Sequence, residues 1–198
     1  MLLDSTALLN RRHVDTARRD DQWKFRYPHP EPGGGADEAA DACGDAVYHP
    51  DDVMLYLHGA PPAEARTITT VDAAGSGTPS ARVAVATYGN GVPKALEAVA
   101  TSGVACDVID CPLLSRCPEA LPPLLRSSGY EALLLVDPCR EGAGPLPNIA
   151  AQLQAAEALP ARWRLLTAPH TYNPLGRTLT FVSAAAIGEA VADLAREL

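Results

Sequence analysis

Beyond about residue 80 the chain repeats one device: a short apolar run, a turn, then a longer stretch with helical spacing. Residues 83–87, 105–109, 132–136 and 164–167 are runs rich in Ala, Val, Ile and Leu. Between and after them, residues 92–102, 119–127, 149–158 and 184–197 carry apolar residues at helical intervals, as with Ala95, Leu96, Val99 and Ala100. Strands that stay apolar without alternating are buried on both faces. Strands separated by helices pair in parallel, because the helix carries the chain back to the start of the next strand. The pattern therefore predicts an α/β fold with three layers, a mainly parallel sheet with helices on both faces. Pro118 suits the first turn of the second helix, and Ser183 is an N-cap for the last one.

The first 80 residues follow no such rule and read as an irregular N-terminal arm and linker with one or two short strands, leaving 81–198 as the α/β domain. Residues 1–19 have helical spacing with arginines on the polar side. Residues 23–27 alternate aromatic and basic side chains, the period of a strand with one apolar face. The stretch 28–46 begins PHPEPGGG and continues small and acidic, which reads as a linker. Residues 53–57 form a short apolar strand, and a second strand is expected at 67–71 inside a Gly-, Pro- and Ser-rich connector. With 15 Gly and 18 Pro in 198 residues, the chain is richer in breakers than an average of about 12%.

Charge and cysteine content narrow the function. There are 16 Lys and Arg against 24 Asp and Glu, a net charge of −8, so a general nucleic-acid binder is not expected. No apolar run approaches the roughly 18 residues of a membrane span, and the first residues lack a signal-peptide pattern. The five cysteines, Cys43, Cys106, Cys111, Cys117 and Cys139, include no CxxC pair. Reduced thiols in a cytoplasmic protein are expected rather than a metal site or disulfide framework.

Candidate site residues lie mainly in strand-to-helix loops, where α/β sheets bind ligands. Tyr88, Gly89, Asn90 and Gly91 turn the chain into the first helix and face its N-terminus, which attracts anions. Arg140 with Gly142, Ala143 and Gly144 forms a second loop that reads as an anion-binding nest beside a cation. The first loop reads more readily as a tight turn that needs glycine, and the second as close packing of loop against sheet. Neither GxGxxG nor GxxxxGK[ST] spacing is present. His58 follows a strand directly and is a candidate for facing a site. His13, His29, His49 and His170 complete the histidines, and no two have the spacing of a helical metal pair. No GxSxG elbow occurs and no cysteine has an evident histidine partner, so an enzyme using His58 or a cysteine ranks last.

In order and spacing, residues 82–196 resemble the C-terminal domain of the transketolase superfamily, most closely that of 2-oxo acid dehydrogenase beta subunits. The resemblance is carried by 83–91 (VAVATYGNG), by Asp107-Val108-Ile109-Asp110, by Leu133-Leu134-Leu135-Val136-Asp137 with Arg140 and Gly142-Ala143-Gly144, and by Ala168-Pro169, Tyr172-Asn173-Pro174 and the final helix. Residues 49–58 resemble the last strand of the pyrimidine-binding domain that precedes it in the family. Asp110-Cys111-Pro112-Leu113-Leu114 carries no arginine where the family usually has one. The resemblance implies a transketolase C-terminal-domain-like fold and no catalytic residue on this chain. The diphosphate- and pyrimidine-binding domains that hold thiamine diphosphate and Mg are missing, and so is their G-D-G plus Asn motif. It therefore implies a non-catalytic subunit of a split thiamine-diphosphate enzyme that transfers a two-carbon or acyl unit from a ketose or 2-oxo acid. No cofactor is expected on this chain alone. The expected partners are separate subunits carrying the missing domains, with an acyl-carrier or lipoyl-type protein as acceptor. Trp23, Phe25 and Tyr27 would serve partner docking. The alternative is a non-catalytic module that binds a small anion or acts as a scaffold and has kept the fold only.

Overall fold

The computed structural model describes residues 49–74, 81–171 and 181–198. The expected helix at 1–19, the alternating stretch 23–27 with Trp23, Phe25 and Tyr27, the linker at 28–46 and the Tyr172-Asn173-Pro174 motif lie outside the described residues. The elements run β1 (Val53–Tyr56), β2 (Arg66–Ile68), β3 (Val83–Thr87), α1 (Gly91–Ser102), β4 (Cys106–Asp110), α2 (Leu121–Ser128), β5 (Ala132–Arg140), α3 (Leu146–Ala155), β6 (Arg162–Ala168) and α4 (Ala184–Arg196). They build a six-stranded sheet of order β2-β1-β4-β3-β5-β6. The four strands β4, β3, β5 and β6 are parallel, with Val83 opposite both Cys106 and Ala132.

The helices divide between the two faces as the chain's direction across the sheet requires. From β3 to β4 the chain steps one way through α1. From β4 to β5 and on to β6 it steps the other way, through α2 and α3. Crossovers of one hand then place α1 and the pair α2/α3 on opposite faces. Ala84, Ala86, Ile109, Leu133 and Leu135 pack with Leu121 and Leu124 of α2 and with Ile149 and Leu153 of α3. Val83, Val85, Val108, Leu134 and Val136 pack with Ala95 and Val99 of α1 and with Ile187 and Val191 of α4. Each buried Leu, Ile or Val contributes about 1.5–3 kcal/mol, and the strands supply such residues to both layers at once. The result is a three-layer α/β fold.

The sheet begins earlier than the sequence suggested. β1 pairs antiparallel with β4, Met54 opposite Asp110, and also with β2. The short strands before residue 80 therefore belong to the α/β sheet itself, not to an arm or to a separate preceding domain. Both ends of β1 are fastened by carboxylates. Before it, buried Asp51 accepts hydrogen bonds from Arg116 Nη2 (2.5 Å) and the Glu119 amide (3.1 Å). Burial pushes the Asp51 carboxyl up, but Arg116 and the Glu119 amide outweigh it and hold the carboxyl below its ordinary value. After it, the His58 amide donates to Asp107 Oδ1 at 2.8 Å. Pairing partners about fifty residues away made this strand look isolated in the sequence.

Several boundaries also moved, α2 for one starting at Leu121 rather than 119. β5 runs past Val136 to Arg140, through an irregularity between Asp137 and Arg140. α3 starts at Leu146 rather than 149, with prolines at 145 and 147 in its first turn, where a missing N–H breaks no helical hydrogen bond. As expected, Ser183 caps α4, its Oγ accepting from the Ala186 amide at 3.1 Å.

Candidate functional site

Strand order locates the crevice to inspect. After β3 the chain turns toward β4, and after β5 it turns toward β6, so the loops at the carboxyl ends of β3 and β5 part company there. Both candidate glycine loops lie at this point. The structure thus brings Tyr88–Gly91 together with Arg140–Gly144.

What fills the crevice is the protein's own chemistry. Tyr88 is 8% exposed, and its hydroxyl donates to Asp137 Oδ1 at 2.6 Å. The Cys139 amide donates to the same oxygen at 2.9 Å, and the Leu146 amide at the start of α3 donates to Asp137 Oδ2 at 3.0 Å. A Cβ on Gly144 would lie 2.0 Å from that carboxylate, so the position admits only glycine. The loop Arg140–Gly144 thus packs against an internal carboxylate, Asp137, held by the amides on either side of it, and Asp137 also occupies the N-terminus of α3. Burial raises the Tyr88 hydroxyl far above its ordinary value, and the bond to Asp137 adds to this. Tyr88 is held as a donor and does not serve as a base.

A second tie crosses the same junction. Buried Thr87 donates through Oγ1 to the Val136 carbonyl at 2.7 Å, and its own carbonyl accepts from the Cys111 amide at 2.8 Å. The Gly91 position sits against this side chain: a Cβ there would lie 1.9 Å from Thr87 Oγ1. Gly89 takes positive φ, which suits the tight-turn reading of the first loop, and the contact of Gly144 with Asp137 suits the close-packing reading of the second.

Two groups at this end differ from the rest. Arg140 is exposed, and among the described residues no hydrogen bond or ion pair reaches its guanidinium. Asp110, at the end of β4, accepts no hydrogen bond among the described residues, and burial pushes its carboxyl up to about 6. Burial, followed by the Asp110 charge, pushes Tyr56 up to about 12.

The structure sets His58 apart from both loops. It follows β1 at the amino ends of the parallel strands, exposed at the opposite end of the sheet. The four described cysteines are free thiols. Burial pushes Cys106 and Cys111 well up and Cys117 up to about 11, which disfavours thiolate nucleophiles. Among the described residues no three His, Cys, Asp or Glu side chains group to hold a metal. No described helix is long and apolar enough to cross a membrane.

Sequence reasoning missed Asp137, Asp107 and Tyr130 as organising polar residues, and took Thr87 only as the first residue of the candidate loop. The signal for Asp137 was present: an aspartate closing a strand, a glycine seven residues on, and a helix start poor in spare N–H groups. Neither protein-family models nor curated proteins match the chain.

Proposed function

We propose that this chain is a non-catalytic subunit, similar to the C-terminal domain of transketolase-type enzymes, of a split thiamine-diphosphate enzyme. That enzyme transfers a two-carbon or acyl unit from a ketose or 2-oxo acid. The observation that carries this reading is the internal closure of the crevice. Tyr88, which sequence order places where a ligand would sit, and the Cys139 and Leu146 amides on either side of the 140–144 loop are spent on Asp137. A fold that satisfies its own best ligand position acts through its surface.

The described residues do not fit thiamine diphosphate or its Mg. A diphosphate would compete with the Asp137 carboxylate for the same donors, and no acidic cluster stands ready for a cation. Cofactor chemistry in the assembled enzyme therefore belongs to separate subunits with the diphosphate- and pyrimidine-binding domains, and an acyl-carrier or lipoyl-type protein would accept the product. The chain's own part is to complete that assembly. One observation favours the second reading, a small-anion-binding module: the exposed guanidinium of Arg140 beside Gly142.

Co-purification separates the two. The tagged full chain is expressed with the untagged products of neighbouring open reading frames, followed by size exclusion and an assay for bound thiamine diphosphate. A complex that holds the cofactor, when this chain alone holds none, is the expected result. Elution without any partner overturns the split-enzyme reading, and phosphate binding lost on Arg140→Ala would then support the module.

A further inference from the structure

We draw no further inference here: the strongest candidate, the outer edge of β6 with Trp163 and Leu165 exposed on its α3 side, has Arg164 already paired with Asp193 and Glu197 of α4, and nothing in the structure shows what covers it.

Discussion

The two ends of the α2/α3 layer are each closed by a tyrosine and an aspartate, and the two pairs are put together differently. At the carboxyl end, Asp137 is 1% exposed and takes donors from Tyr88, Cys139 and Leu146. Two of those donors lie two and nine residues downstream, so the carboxylate shapes its own loop. At the amino end, Asp107 is 0% exposed and takes the Tyr130 hydroxyl at 2.9 Å and the His58 amide at 2.8 Å. Those donors are 23 and 49 residues away, so this carboxylate joins the β1–β2 hairpin to the parallel core. The same chemical pair thus serves as a loop former at one end and as a long-range clasp at the other. What a buried carboxylate holds together is decided by where in the chain its donors originate.

Removing each carboxylate should break different things. Asp137→Ala leaves a hydroxyl and two amides without their acceptor and is expected to cost about 3–5 kcal/mol in urea unfolding. Asp107→Ala strands the Tyr130 hydroxyl and the His58 amide and is expected to cost about 2–3 kcal/mol. Hydrogen exchange should show its loss of protection confined to β1 and β2. Loss of protection in the 140–146 loop instead would erase the distinction between loop former and clasp.

Gly144 sharpens the carboxyl-end case. Gly144→Ala drives a methyl into the Asp137 carboxylate, an overpacking expected to cost about 2–3 kcal/mol. In an Asp137→Ala background the same change should cost little, because the two positions share one space. Equal costs in both backgrounds would mean that Gly144 is required for some other reason.

Asp110 is the third strand carboxylate and the one without a donor among the described residues. Its folded-state value of about 6 lies above the ordinary 3.8, so the folded protein holds this proton more tightly than the unfolded chain does. The stabilising effect is complete below about pH 4 and is lost as pH rises through about 6. Asp110→Asn does not titrate. It should unfold at higher temperature than the parent at neutral pH, by the equivalent of about 3 kcal/mol at most, with the gain vanishing in acid. A variant less stable than the parent at neutral pH would show that Asp110 has a stabilising partner after all.

The smallest expected effects come from the hydroxyls. Tyr88→Phe removes the hydroxyl's contacts with Asp137 and Cys139 Sγ, Tyr130→Phe its bond to Asp107, and each should cost about 1 kcal/mol. Tyr130→Phe should be felt more in the hairpin, since Asp107 also holds the His58 amide after β1. Identical effects on hairpin exchange from the two variants would blur the contrast.

Much of the fold was legible because its signals are local. Strand β3 falls on the residues read from the sequence, and α1 and α4 lie within a residue of their expected bounds, because apolar spacing, a strand-ending turn and the Ser183 cap act over a few residues. Candidate residues were legible in part. Tyr88–Gly91 and Arg140–Gly144 do meet at one crevice, but Tyr88 points inward and His58 lies at the far end. No local pattern separates a tyrosine that faces a ligand from one bound to an aspartate 49 residues away.

The sequence alone determined the layered α/β class, the bounds of α1 and α4 to within a residue, and the acidic balance, since each follows from composition or from neighbours along the chain. Only the tertiary structure decided that β1 and β2 complete the sheet, that β3 and β5 part at the crevice, and that Asp137 and Asp107 take up the nearby donors. Those outcomes depend on which distant segments pack together. A buried carboxylate must find its hydrogen bonds wherever that packing brings donors within reach.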